Sequence, residues 1–177
     1  MLYNNMHGKT SILNGSHLFN FFADQIRCIY KAENALLSPL IFMKQAASMK
    51  RLKELFHDYL SQLKLQRIWL DDIIRFLLIS PEGDSCDAID GLIKEMYRII
   101  QTTPEGSMTR DAGLIVALQK AGHYKIATYG SLKQLASSLG MEEVTNLLNK
   151  SLQHEKENQL LFSTIADRRV NWLAETE

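Results

Sequence analysis

This chain of 177 residues has two cysteines, three prolines, and as many acidic as basic side chains. Cys28 and Cys86 form no Cys-x-x-Cys and no ligand-spaced cluster with the five histidines, which excludes an ordinary structural zinc site. Two free thiols are the expectation, with a single disulfide as the alternative. Lysine plus arginine and aspartate plus glutamate are balanced at 20 each, so no overall field recruits nucleic acid, an anionic membrane or an acidic substrate. No run reaches the roughly 18 consecutive apolar residues of a membrane span, and residues 1–15 are polar where a signal peptide would be apolar, so the expected location is cytoplasmic.

Beyond the first 15 residues the glycines stand singly at Gly83, Gly91, Gly106, Gly113, Gly122, Gly130 and Gly140. That spacing excludes a phosphate loop or dinucleotide-binding turn, and no Ser-His-Asp set can be assembled. Catalysis therefore has no visible machinery. The reading favours a non-enzyme and leaves activity open.

What the chain does have is helical periodicity. A flexible leader is expected over 1–15, one domain over 16–170 and a polar tail over 171–177. From Ser16, a suitable N-cap, apolar residues repeat every three or four positions: Phe19, Phe22, Ile26, Ile29, Leu36, Leu40, Met43, with Glu33 interrupting them and Pro39 expected to kink the helix. A second seam takes Leu52, Leu55, Tyr59, Gln62, Gln66, Trp69, Ile73 and Phe76, and stops before Ser80-Pro81-Glu82-Gly83.

Ile89 to Ile100 make a shorter helix of about four turns. A third long seam runs Asp111, Ile115, Leu118, Gly122, Lys125, Tyr129, Leu132, Ala136 to Gly140, and a fourth runs Val144, Leu148, Ser151, Glu155, Asn158, Phe162, Ile165. The sum is an all-α, antiparallel four-helix bundle of ferritin-like type, with a short extra helix in the middle crossover connection.

Each long seam carries residues near its middle that do not pack as apolar groups: Glu33; Gln62 and Gln66; Gly122 and Lys125; Glu155 and Asn158. In an antiparallel bundle these positions meet at one height, so a polar layer should cross the core. A buried carboxylate costs several kcal/mol unless paired, neutralised or metal-bound. Bundles of this kind build di-iron sites from such layers, using Glu residues and Glu-x-x-His pairs. Glu54 and His57 have that spacing, but Leu55 lies on the seam and turns both away from the core.

Five segments carry a resemblance to a known family: Tyr30-Lys31-Ala32-Glu33, Cys86-Asp87-Ala88-Ile89-Asp90-Gly91-Leu92-Ile93, Arg110-Asp111-Ala112-Gly113-Leu114-Ile115, His123-Tyr124-Lys125-Ile126-Ala127-Thr128-Tyr129-Gly130-Ser131-Leu132 and His154-Glu155-Lys156. In that order they resemble the YciE/YciF group of bacterial ferritin-like proteins, associated with stress responses. The resemblance spans residues 17–166. It implies carboxylates where this chain has Gln62, Gly122 and Lys125, and near Asn158; only Glu33 and Glu155 keep the pattern.

The expected layer is therefore Glu33, Gln62, Gln66, Lys125, Glu155 and Asn158, with Lys125 paired to the glutamates and Gly122 leaving room for it. No metal is expected; iron or manganese on Glu33, Glu155 and His123 is the alternative. His123 is otherwise expected to be partly buried and hydrogen-bonded. The leading function is a stress-associated structural or partner-binding protein, with a peroxide-handling iron protein or a small-molecule binder with a pocket near Gly122 as alternatives. A homodimer is expected from the resemblance and from off-seam Phe21, Phe42 and Trp172, without nucleic acid or membrane.

Overall fold

In a computed structural model, residues 16–83 and 86–177 are described. The leader expected over 1–15 lies outside them. Helix α1 spans His17–Ala46, α2 Lys50–Leu77, α3 Asp87–Thr102, α4 Met108–Ser138 and α5 Glu142–Ile165; a π-helical turn, Ala166–Val170, leads into the short α6, Asn171–Glu175. The described residues contain no strand, and no described helix is long and apolar enough to cross a membrane. The architecture is an all-α, ferritin-like four-helix bundle.

Three-residue connections make α1 and α2, and α4 and α5, antiparallel neighbours. Helix α2 also packs on α5 and α1 on α4, which closes the bundle, while the crossover helix α3 lies against α1 and α4. The Ser16 side chain accepts from Phe19 N at 3.1 Å and starts α1, which runs through buried Pro39 without a break. Ser107 does the same for α4 through Arg110 N at 3.0 Å. Gly140, at φ +71°, ends α4 as a left-handed cap, with Met141 N on Ala136 O at 2.9 Å and Gly140 N on Ser137 O at 3.0 Å. Helix α2 ends the same way, but with Leu78 in the left-handed position at φ +55°.

The seams of α1, α4 and α5 are buried as the spacing predicts, except that Ile165 at the end of α5 is only half-buried. That of α2 shifts by one residue in its second half: Leu63, Leu70 and Leu77 are buried, while Gln62, Trp69 and Phe76 are half-exposed. Gln66 and Ile73 keep their places on the seam; at Trp69 and Phe76 the spacing selected the wrong neighbour because the adjacent leucine is equally apolar, and at Gln62 it passed over Leu63. The expected polar tail is helical to Glu175. The Glu177 side chain accepts from Met108 N at 2.7 Å and Thr109 N at 3.1 Å, at the start of α4.

The Arg110-Asp111 pair ties helix ends together. Fully buried Asp111 accepts from Ser48 N and Met49 N, both at 2.7 Å, at the α1–α2 connection. Arg110 donates to Thr103 O at 2.5 Å and Ile100 O at 3.1 Å, which satisfies carbonyls at the end of α3.

Candidate polar layer in the bundle core

Glu33 from α1, Gln66 and Tyr59 from α2, Lys125 and Tyr129 from α4, and Glu155 from α5 are all buried and meet midway along the bundle. They reach one height because helices of similar length run antiparallel and each contributes a mid-helix residue. Lys125 Nζ is the centre. It lies 2.7 Å from Glu155 Oε1, 3.0 Å from Glu33 Oε1, 2.9 Å from Gln66 Oε1 and 3.2 Å from the Tyr59 hydroxyl. Four oxygens thus surround an ammonium with three protons to give.

The two carboxylates are held differently. Glu155 accepts from Lys125, from Gln66 Nε2 at 2.8 Å and, on its other oxygen, from Tyr59 OH at 2.9 Å. Both groups that reach Glu33, Lys125 and the Tyr129 hydroxyl at 2.5 Å, meet the same oxygen. Glu33 Oε2 is buried without a hydrogen-bond partner.

Burial raises the Glu33 carboxyl above the ordinary carboxylate range; Lys125 opposes that shift and Glu155 adds to it. Burial works against the Lys125 ammonium, yet the charges of Glu155 and Glu33 outweigh it and hold the amine above its usual range. Tyr59 and Tyr129 are pushed well above theirs, first by burial and then by the neighbouring carboxylates, so both stay protonated donors. At neutral pH the arrangement is a buried cation clamped between acids, with no free base or nucleophile in it.

Gln62 and Asn158 do not reach Lys125. They pair with each other at 2.7 Å (Asn158 Nδ2 to Gln62 Oε1) beside the layer, bridging α2 and α5. His123, considered for a ligand or a partly buried histidine, is exposed: one step from Gly122 and two from Lys125 on α4, it points outward. The room at Gly122 is not used by Lys125 and is not a pocket. It is filled by Gln159, whose Nε2 would lie 1.7 Å from a Cβ built on Gly122. Gln159 follows Glu155 by one turn and shares its face, a signal the seam missed by passing from Asn158 to Phe162.

Glu54 and His57 are exposed, as their offset from Leu55 requires. Of the remaining tyrosines, Tyr30 lies under the Arg67 guanidinium, 5.4 Å from its ring centroid. Tyr124 turns instead to sulfur. Cys28 and Cys86, expected as free thiols, form a disulfide with Cα atoms 5.4 Å apart. Fifty-eight residues separate them in sequence, so only the packing of the α3 start on α1 could bring them together. Among the described residues, no three His, Cys, Asp or Glu side chains are grouped as a metal site would need.

Residues 17–175 match the family described as Domain of unknown function (DUF892). Protein YciF of Escherichia coli K12 is 34% identical over 149 residues, covering 84% of this chain and 89% of that protein. The crystal structure of the E. coli stress protein YciF superposes with a TM-score of 0.83 at 31% identity, covering 88% of this chain and 98% of that one. YcfI from Rhodopseudomonas palustris, proposed to be a structural protein, superposes with a TM-score of 0.81 at 29% identity, covering 85% and 96% of the two chains.

Proposed function

The chain belongs to the DUF892 family, and on that footing we propose that it is a YciF-like, stress-associated protein without catalytic activity, acting as a structural or partner-binding module whose core is organised by an ion pair where ferritin-like relatives hold metal. The observation that carries this reading is Lys125 Nζ seated 2.7 Å and 3.0 Å from the carboxylates of Glu155 and Glu33. Two divalent ions in a carboxylate site need several anionic oxygens and no competing cation. Here two carboxylates, one amide, two phenols and an ammonium converge, a set that does not fit such a pair. The ammonium already supplies the positive charge that makes burying the acids tolerable.

A residual metal site is favoured by one feature, the bare Oε2 of Glu33. It would have a single free carboxylate oxygen and an ammonium alongside, and His123 faces outward.

Elemental analysis of protein purified without added metal or chelator tests the proposal: less than one tenth of an equivalent of iron, manganese or zinc per chain is expected, and two equivalents would overturn it. In the same reading the protein is a cytoplasmic homodimer that presents Phe21, Phe42 and Trp172, all about half-exposed or more, to a second copy. Light scattering at micromolar concentration should return twice the chain mass of 20.2 kDa.

A further inference from the structure

The two cysteines lie outside the polar layer, paired with each other beside the Tyr124 hydroxyl. Cys28 sits within α1, five residues before Glu33, and Cys86 is the N-cap residue of α3. The Tyr124 hydroxyl, next to Lys125 on α4, is 3.0 Å from Cys86 Sγ and 3.6 Å from Cys28 Sγ. One hydroxyl thus addresses both sulfurs, and three helices meet at this point.

The connection that carries Cys86 is held to α1 by more than the disulfide. Arg27 Nε donates to Ser80 O at 3.0 Å, Lys31 Nζ donates to Gly83 O, and Gly83 packs on the Arg27 stem, where an added Cβ would lie 2.9 Å from Arg27 Cβ. These contacts do not depend on the sulfur–sulfur bond. They tie Ser80 and Gly83, a few residues before Cys86, to the stretch of α1 around Cys28, an arrangement that suits a reversible pair.

We propose that Cys28 and Cys86 are a reversible dithiol–disulfide pair, closed by a hydroperoxide, that fastens α1 to the start of α3. Cys86 is the attacking residue and Tyr124 its positioning partner. The Tyr124 hydroxyl, 3.0 Å from Cys86 Sγ in the closed pair, is placed to donate to the Cys86 thiolate once the bond is open, and the N-terminal end of α3 adds partial positive charge there, offset in part by Asp87 and Asp90 in the first turn. Half-burial keeps the Tyr124 proton in place by raising the phenol above its ordinary range.

The Cys86 sulfur attacks the terminal oxygen of the hydroperoxide. The O–O bond breaks, and the departing alkoxide takes the proton lost by Cys86 and leaves as the alcohol. The sulfenic acid so formed is attacked by the Cys28 thiolate; its S–O bond breaks, hydroxide takes the Cys28 proton and leaves as water, and the disulfide closes. Two thiols supply the two electrons that reduce one hydroperoxide. Two molecules of a small thiol such as glutathione, leaving as their disulfide, reopen the bond by exchange, so that the pair sets the fastening of α1 to α3 as a switch and not as a peroxide-consuming enzyme.

The full-length wild-type chain tests this without denaturant. Reduced glutathione should release two alkylatable thiols per chain while the helical circular dichroism is kept, and one equivalent of hydrogen peroxide should remove both. A bond that opens only in urea, or thiols that persist in peroxide, overturns the proposal. Cys28→Ser and Cys28→Ala should each trap a dimedone adduct on Cys86, whereas Cys86→Ser should leave Cys28 largely unlabelled; the reverse pattern refutes the assignment of the attacking residue. Tyr124→Phe should slow closure on the order of tenfold, the worth of one hydrogen bond to a charged sulfur. Closure at the wild-type rate would remove Tyr124 from the scheme.

Discussion

Replacing Lys125 by methionine removes the charge at the centre of the layer and keeps most of the side chain's volume. Glu33 and Glu155, both fully buried, are then left facing one another with no cation. Removing one member of a buried ionic group costs about 3–5 kcal/mol, because the remaining charge is uncompensated. The mutant should lose that much stability at pH 7, as measured by urea unfolding. Its pH dependence is the sharper signature. Without Lys125 the Glu33 carboxyl, already raised by burial, rises further above its unfolded value. Protonation then relieves the strain, so the mutant is most stable in acid and loses stability as pH rises through the folded values. The slope reaches about 1.4 kcal/mol per pH unit for each carboxyl titrating.

Adding Glu33→Gln and Glu155→Gln to Lys125→Met should flatten that slope and return most of the loss, since a neutral layer has no charge to strand. A Lys125→Met protein within 1 kcal/mol of wild type, with a parallel pH profile, would refute the view that the ammonium holds the layer together. In the wild type the amine carries the same sign in a different window: its folded value is raised, so its contribution is complete at neutral pH and is lost only as pH climbs past the ordinary lysine value.

Asp111→Asn should cost about 1.5–3 kcal/mol in chemical unfolding, because one amide oxygen cannot replace the two carboxylate oxygens that accept from Ser48 N and Met49 N. Gly122→Ala should destabilise by about 1–3 kcal/mol through its collision with Gln159. The same change made in a Gln159→Ala protein should instead stabilise by about 1 kcal/mol, the helix-propensity gain of alanine over glycine. Leu78→Gly should raise stability by about 0.5–1 kcal/mol in thermal and urea unfolding, because an exposed leucine at φ +55° pays a left-handed penalty that glycine avoids. Native reduction of the disulfide, which spans 58 residues, should lower unfolding stability by about 4 kcal/mol in the chain-entropy picture.

The fold was legible because each long helix writes its buried face as a repeat of three and four, and because serine caps and breakers mark the ends. The α2 seam drifted at Trp69 and Phe76, where the neighbours Leu70 and Leu77 are equally apolar, and at Gln62, where the spacing passed over Leu63; only the packing of the neighbouring helices decides between them. Glu33, Gln66, Lys125 and Glu155 could be foreseen as companions, since antiparallel helices bring mid-seam residues to one level. Gln159 over Gly122, the outward turn of His123, and the pairing of Gln62 with Asn158 could not, because they depend on side-chain competition for the same space.

The amino-acid sequence by itself determined that this chain is a helical bundle with charged groups in its middle, because burial periodicity and the cost of unpaired charge are local and additive. Tertiary structure decided which oxygen meets which proton: that Lys125 serves both Glu155 and Glu33, that one Glu33 oxygen is left bare, and that Cys28 meets Cys86 under the Tyr124 hydroxyl. Those outcomes turn on separations of an ångström between residues on different helices, which periodicity along one helix does not encode.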